Sequence, residues 1–307
     1  MKIYKKVTNI YAIFLNKFLY TYKKRSKKIK IFYLQLFLSL KKINYPVELK
    51  NIIILNRQFL KLQKPYLPES EFEINNYGMN FEINQHIDKK INKTITYSDL
   101  LIYLSKVLVD NICYLEIGSS VMKNFFQLEN QLKNSTLVAF DINKIPNNYE
   151  SRFLKDTVSG TNGLTKGISN LNKNEIFYFK GDVLSHKDLN EFNSLLSYKF
   201  NLIFSDALHT PEGLQSEFDE IILPNLSSEF LIYYDDLDFT GLEKKFKEIG
   251  LNLSKLYENI SLYTFNINGW VGQNEFPHKN GIITNLNLKK FFLDKKLNLY
   301  KLIEVLI

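Results

Sequence analysis

Tyr114-Leu-Glu-Ile-Gly-Ser-Ser120 is the stretch that decides the fold: a short apolar run that ends directly in a glycine turn. About twenty residues later a second apolar run, Leu137-Val-Ala-Phe-Asp141, ends in an acid. This spacing predicts two parallel strands that are joined by a helix in a right-handed crossover. The carboxyl ends of such strands open into one crevice, where open α/β sheets bind their ligands.

The two strand ends predict an adenosine-binding site. Gly118 lets the backbone approach a ligand closely, and Asp141 is placed to accept hydrogen bonds from ribose hydroxyls. Nicotinamide dinucleotides and S-adenosylmethionine both fit this arrangement. A dinucleotide site has the pattern Gly-x-Gly-x-x-Gly before a helix. Here Gly118 is instead followed by Ser119, Ser120, Val121, Met122 and Lys123.

With a third strand end, Phe177-Tyr-Phe-Lys-Gly-Asp182, the pattern resembles the class I S-adenosylmethionine-dependent methyltransferases. The resemblance implies a Rossmann-like sheet, mostly parallel with a terminal antiparallel strand, and helices on both faces. It also implies that S-adenosylmethionine is the cofactor. The family's glycine-rich loop usually carries a further glycine, whereas Ser120 and Met122 stand at those positions here. The implied cofactor-binding residues are Glu116, Gly118, Ser120, Asp141 and Asp182, the last by contact with the adenine or as a helix cap.

A second constellation follows two later strands. The run Phe200 to Ser205 leads into Asp206, with His209 three residues on, and the run from Glu229 to Tyr234 leads into Asp235-Asp236. In an alternating sheet these ends are neighbours, and carboxylates that are packed closely repel one another unless a cation lies between them. The pattern predicts a Mg²⁺ site, with His209 as a base for a hydroxyl proton. The alternatives are that these acids cap helices or carry solvated charge, and that His209 has a hydrogen-bonding or metal-orienting role instead of acting as a base.

This constellation resembles the metal-dependent O-methyltransferases that act on sugar hydroxyls of natural products, over roughly residues 95 to 285. The resemblance implies Asp206, Asp235 and Asp236 as metal ligands, His209 as the base, and a small-molecule or glycosyl hydroxyl as the acceptor. A non-catalytic binding or scaffold protein on the same fold stays open. A nucleic-acid methyltransferase is less favoured, because Ser205-Asp206-Ala207-Leu208 lacks the Asp/Asn-Pro-Pro-aromatic motif that grips a flipped base.

Charge and periodicity divide the chain into three predicted parts. These are a basic helical N-terminal extension (1–68), a linker or flap (69–96) and the methyltransferase domain (97–307). The first 50 residues hold 13 lysines and arginines against one acid, Glu48. The apolar runs there are too short to span a bilayer. Two interpretations remain open for the amphipathic extension: packing on the main domain or on a second subunit, which allows a homo-oligomer, or peripheral contact with an anionic membrane.

Smaller features complete the expectations. The single cysteine, Cys113, excludes an internal disulfide, and the chain is expected to be cytoplasmic, with membrane-surface attachment as the open alternative. Ser98 is the expected N-cap of a helix before the first strand. Residues 150–172 are expected to form a mobile loop, and 262–267 with 280–284 a terminal antiparallel pair. His186 and His278 are interpreted as surface or turn residues.

Overall fold

The computed structural model describes residues 45–62, 95–108, 111–120, 122–145, 164–169, 172–267, 269, 278–288 and 303–305. The chain divides into two units, residues 1–44 with 296–299, and residues 45–295 with 300–307, and all described residues belong to the second unit. The predicted extension before Tyr45 and most of the predicted flap therefore lie outside the described residues. Among the described residues, no helix is both long and apolar enough to cross a membrane.

One mixed sheet forms the centre of the fold. Its nine strands in chain order are β1 (Cys113–Ile117), β2 (Thr136–Asp141), β3 (Leu164–Ser169), β4 (Asn174–Lys180), β5 (Phe200–Ser205), β6 (Leu226–Tyr234), β7 (Ser261–Ile267), β8 (His278–Thr284) and β9 (Ile303–Val305). Their order across the sheet is β3-β4-β2-β1-β5-β6-β8-β7-β9. Strands β4, β2, β1, β5 and β6 are parallel, and β8 runs antiparallel between β6 and β7.

The predicted fold class is confirmed. The seven strands from β4 to β7, with the reversed strand β8 second from the end, make the Rossmann-like sheet of the class I methyltransferases, and the predicted terminal antiparallel pair is β7 with β8. Two edge strands were not predicted. Strand β3 pairs antiparallel with β4, so residues 164–169 are a strand and not part of a mobile loop, and β9 pairs antiparallel with β7.

Helices cover the sheet. They are α1 (Val47–Leu62), α2 (Tyr97–Ser105), α3 (Lys123–Gln131), α4 (His186–Leu195), α5 (Pro211–Ser216) and α6 (Leu242–Leu253), with a π-helical turn (Glu217–Ile222) and a 3₁₀ turn (Leu223–Asn225) directly after α5. The central parallel strands are buried almost throughout, as expected for a sheet with helices on both faces. Chain order reverses at β1, whose neighbours are β2 and β5, so the carboxyl ends of these three strands meet at the ligand-binding edge.

Residues at the start of α2 also bind α1 through hydrogen bonds and an ion pair. Thr96 caps the helix: its side chain and that of Asp99 form a reciprocal capping box, so the predicted cap at Ser98 is wrong. Asp99 is fully buried and pairs with Arg57 of α1 at 2.6 Å, while Asn56 donates to its other oxygen at 2.8 Å. Because each oxygen of this buried carboxylate has donors, the ion pair ties α1 to the sheet-covering helices.

Candidate active site

A cavity of about 450 Å³ opens at the carboxyl ends of β1, β2, β4 and β5. Six of the nine residues that the sequence singled out line it, and they come from both predicted constellations. They are Gly118, Ser120, Asp141, Asp182, Asp206 and His209. Glu116, Asp235 and Asp236 are not among the described residues that line this cavity. The predicted cofactor residues therefore share this cavity with two members of the acid cluster, which is Asp206, Asp235 and Asp236 together with His209.

The turn after β1 needs glycine at its first position. Gly118 has φ +86°, and a Cβ there would lie 2.2 Å from the backbone oxygen of Asp206, so only glycine lets the ends of β1 and β5 come this close. Ser120 and Met122, which replace the family's usual glycine, also adopt left-handed backbone, with φ of 48° and 57°. Ser120 and Met122 therefore adopt the backbone conformation that glycine would adopt more easily, and this has a steric cost for residues with a side chain.

Asp141 joins this turn to the end of β2. Its Oδ2 accepts the Ser120 backbone N–H at 2.7 Å, and its Oδ1 accepts the Asn143 backbone N–H at 2.8 Å. Burial raises the pKa of Asp141, and these hydrogen bonds act in the opposite direction. The carboxylate thus faces the cavity from a fixed position, where oxygen acceptors for ribose hydroxyls are expected.

Asp182 lies across the cavity from this turn, after β4. Its Oδ1 accepts the Leu184 backbone N–H at 2.9 Å. The following helix, α4, is capped instead by Ser185, whose hydroxyl accepts the Asp188 N–H. Asp182 is therefore not the helix cap that was one of its two expected roles, and contact with the adenine stays a prediction.

Glu116 lies inside the domain, only 1 % exposed, below the glycine turn. Its Oε2 accepts the Tyr114 hydroxyl at 2.5 Å and the Asn124 side-chain amide at 2.9 Å. Desolvation raises the pKa of Glu116 to about 8, although the Tyr114 hydrogen bond opposes the shift. A direct contact of Glu116 with the cofactor stays a prediction, and the contacts seen here belong to a buried polar network.

Glu116→Gln is expected to stabilise the protein increasingly as pH rises. The folded carboxyl keeps its proton up to about pH 8, whereas the unfolded one loses it near 4.5, so the wild-type fold loses stability between these values. Glutamine stays neutral at every pH and so removes this penalty. Urea unfolding should show the variant's advantage growing by about 2 kcal/mol from pH 6 to pH 8. A difference that does not change with pH would contradict a raised Glu116 pKa.

The predicted Asp-x-x-His pair after β5 is in contact. His209 Nε2 lies 3.1 Å from Asp206 Oδ1 and 3.6 Å from Asp236 Oδ2, so the imidazole bridges the acids that follow β5 and β6. The Phe239 ring stacks on the His209 ring at 4.9 Å between centroids. Thr210, not Asp206, caps α5, so the helix-cap alternative for Asp206 does not hold.

His278 is a site residue that sequence reasoning missed. Its Nε2 lies 2.6 Å from Asp235 Oδ1 and 3.8 Å from Asp236 Oδ1, so the interpretation of His278 as a surface or turn residue is wrong. Asn280 also donates to Asp235 Oδ1, and Tyr233 donates to the Asn280 side chain. A signal was available, because the predicted return strand at 280–284 runs antiparallel to the strand that ends before Asp235, which brings the start of β8 beside the acid pair.

Crowding of the carboxylates shifts their titration. Desolvation and the charge of Asp235 raise the pKa of Asp206 to about 7, and the same two causes raise the pKa of Asp236. Burial alone would lower the pKa of His209, but the hydrogen bond and charge of Asp206 outweigh it and raise that pKa. Asp236 is held in a left-handed conformation with φ 54°, an uncommon backbone state that concentrates at functional sites.

The donor chemistry fits a divalent cation. Asp206, His209 and Asp236 each offer one atom within 4.8 Å of the others, and so do Asp235, Asp236 and His278. Asp236 belongs to both groups. Oxygen-rich sets of few carboxylates suit Mg²⁺, which keeps water or substrate oxygens in its remaining positions. The three predicted acids are thus brought together, with an imidazole on either side of Asp236.

Known proteins resemble this chain in structure and not in sequence. No protein-family model matches the chain. No curated protein matches it in sequence. The solved structures that it resembles include the O-methyltransferase TomG from Streptomyces achromogenes in complex with S-adenosylmethionine (12 % identity, 82 % of this chain and 95 % of that chain, TM-score 0.44). An O-methyltransferase from Bacillus cereus in complex with S-adenosylhomocysteine is similar at 14 % identity, over 73 % of this chain and 95 % of that chain (TM-score 0.44).

Spermidine synthase from Thermotoga maritima is also similar, at 14 % identity over 68 % of this chain and 66 % of that chain (TM-score 0.40). The protein has the class I methyltransferase fold. Its strand order alone is sufficient for that statement. Scores and identities at this level say nothing about the reaction, because one fold carries many activities and function resides in the site.

Proposed function

We propose that this protein is an S-adenosylmethionine-dependent methyltransferase that methylates a hydroxyl oxygen of a small-molecule or glycosyl acceptor with the help of a divalent cation. One observation carries the proposal. A single cavity is lined on one side by the glycine turn with Asp141, and on another by Asp206 with His209. A nucleoside-binding pair beside an acid and imidazole cluster is what transfer from a nucleoside cofactor to an oxygen acceptor requires.

On the cofactor side, each residue has a stated task. Asp141 would accept the ribose hydroxyls, and Asp182 would contact the adenine from the far side of the cavity. Gly118 and Ser120 would line the cavity where backbone, not side chain, meets the ligand. When bound, S-adenosylmethionine supplies an electrophilic methyl group on its sulfonium. The chain's own contribution is to hold the acceptor oxygen in line with that group and to exclude competing water.

On the acceptor side, Asp206 and Asp236 would hold the cation, with Asp235 and the imidazole of His278 as further donors. A bound divalent cation lowers the pKa of a coordinated hydroxyl. His209 would take the hydroxyl proton, since its ring already stands between Asp206 and Asp236, and the two acids stabilise its protonated form. The half-exposed Phe239 ring that stacks on His209 gives the acceptor an apolar surface beside the base.

Asp141→Ala tests the cofactor half of the proposal. Losing a charge-assisted hydrogen-bond acceptor for the ribose is expected to weaken S-adenosylmethionine binding by about 1.5–3 kcal/mol, or roughly 10- to 150-fold in the dissociation constant. Isothermal titration calorimetry measures it directly. Asp182→Ala removes the carboxylate that follows the adjacent strand β4, and as the matched comparison it should show a smaller loss. Unchanged affinity of the Asp141 variant would move the ribose contact elsewhere, and absence of binding by the wild type would favour a scaffold protein on this fold.

A further inference from the structure

Glu217 is a fully buried residue whose carboxylate has no role in the proposed reaction. It lies at the start of the π-helical turn after α5. Its Oε2 accepts the Ser205 hydroxyl at 2.6 Å. Its Oε1 has no hydrogen-bond partner among the described residues. Ser205 directly precedes Asp206, which lies three residues before His209.

Ser205, which donates to Glu217, lies where β5 is joined to its neighbouring strands. Ser205 ends β5, and its backbone oxygen accepts the Asp235 N–H at 3.0 Å, which joins the ends of β5 and β6. The Asp206 N–H donates to the Ile117 backbone oxygen at 2.8 Å, which joins the turn to β1. Glu217 therefore holds, through Ser205, a stretch of chain that is hydrogen-bonded to the ends of both β1 and β6.

Close packing reinforces this support. A Cβ on Gly213 of α5 would lie 2.8 Å from the Leu208 Cβ and 2.9 Å from its backbone oxygen, so the helix that leads to Glu217 lies directly against the turn. A π-helical turn widens the backbone by one residue per turn and is frequent at functional sites. The sequence Thr210-Pro211 begins α5 with a side-chain cap and a proline, which fixes where the helix starts.

Burying a carboxylate at this position costs desolvation free energy. Desolvation raises the pKa of Glu217 to about 7 in spite of the Ser205 hydrogen bond. Replacing a buried charged group by an apolar one of similar volume is often neutral or stabilising. Packing alone therefore does not account for a carboxylate here, whereas a directional hydrogen bond from Ser205 does.

We propose that Glu217 is a positioning residue, which clamps Ser205 so that the following residues Asp206 and His209 face the acceptor side of the cavity. The proposal rests on the proposed function for its purpose, but the clamp itself, the hydrogen bond from Ser205 to Glu217, is a property of the turn. Removing it should loosen residues 206–210 more than the cofactor side of the site, because Asp141 holds Ser120 and Asn143 through hydrogen bonds of its own.

The test compares Glu217→Met, Glu217→Gln and Ser205→Ala with the wild type. Methionine keeps the volume and removes the Ser205 hydrogen bond, glutamine can keep it because its amide oxygen accepts and the Ser205 hydroxyl can also turn to accept, and alanine at position 205 removes the donor. Hydrogen exchange followed by mass spectrometry on peptides covering 206–210 should become about 10-fold faster in Glu217→Met and Ser205→Ala, as the loss of one buried hydrogen bond implies. Glu217→Gln should stay near the wild type. Glu212→Gln, an exposed glutamate on α5, is the matched control and should show no change.

Binding measurements complete the test. In Glu217→Met the Mg²⁺ dissociation constant should rise about 10-fold, while that of S-adenosylmethionine changes less than about 2-fold, and Glu217→Gln should restore Mg²⁺ affinity. Wild-type exchange rates in both Glu217→Met and Ser205→Ala would overturn the clamp. A wild type that binds no Mg²⁺ would overturn the proposed cation site alone, since the exchange comparison reports on the clamp without any ligand. If Glu217→Met does not fold, Ser205→Ala decides by the same exchange measurement.

Discussion

Gly118→Leu is expected to abolish S-adenosylmethionine binding. A Cβ at this position would lie 2.2 Å from the backbone oxygen of Asp206, 2.5 Å from its carbonyl carbon and 2.6 Å from the Ala207 Cα. These are backbone atoms, which cannot turn aside as a side chain can. The turn that carries Asp206 would have to move, so the clash damages the cofactor side and the acid cluster together.

A matched control separates this clash from simple backbone strain. Gly241 has almost the same backbone conformation, with φ +87°, but its added Cβ would meet only the ring of Pro211, at 2.9 Å. Gly241→Leu should therefore lose some stability, by about 1–2 kcal/mol from left-handed strain, and keep its cofactor affinity. Calorimetric titration of both variants, after circular dichroism has shown that they are folded, measures the difference. Normal binding by Gly118→Leu would mean that the cavity is not the cofactor site.

Removal of divalent cations is expected to abolish methyl transfer to a hydroxyl acceptor and to leave cofactor binding largely intact. Desolvation, and after it the charge of Asp235, raise the pKa values of Asp206 and Asp236, and a bound cation relieves the repulsion between these carboxylates. Added Mg²⁺ should restore turnover after a chelator has removed it. Asp236→Ala should reproduce the chelated state, because Asp236 belongs to both candidate donor groups. Turnover that is indifferent to chelator would leave these acids without a metal role.

The variant His209→Ala distinguishes between two roles of His209, a catalytic base and a metal ligand. As a base, its loss should lower turnover by roughly 10²–10⁴-fold with Mg²⁺ affinity kept, and the defect should shrink at high pH, where the acceptor hydroxyl ionises more readily. Loss of Mg²⁺ affinity together with activity would instead make His209 a ligand.

The sequence predicted those parts of the site that follow from local strand ends. Gly118, Asp141, Asp182, Asp206 and the acid pair each come directly after a short apolar run, and parallel strands bring their carboxyl ends to one edge. That geometry follows from alternation alone. It placed the cofactor residues and the acid cluster side by side without any knowledge of side-chain packing.

The sequence did not predict contacts that depend on how distant strands pair with one another. His278 reaches Asp235 only because β8 pairs antiparallel with β6, and edge strands β3 and β9 pair with partners whose register no local pattern indicates. Glu217 lies on an otherwise ordinary amphipathic helical stretch, and nothing in its spacing shows that the carboxylate turns inward to Ser205. Ser98 resembles a helix cap in isolation, but Thr96 with Asp99 forms the better reciprocal cap.

The central claim is that one cavity holds the cofactor beside the cation. Mn²⁺ binds oxygen-rich octahedral sites like those of Mg²⁺ and is paramagnetic, so it reports on nearby protons. With Mn²⁺ bound to the wild-type protein, the S-methyl protons of bound S-adenosylmethionine should relax much faster than with Mg²⁺, and Asp236→Ala should remove the enhancement. S-adenosylmethionine that binds without any Mn²⁺-dependent relaxation, or that shows no saturable binding up to about 1 mM, a free energy weaker than about −4 kcal/mol, would contradict the account.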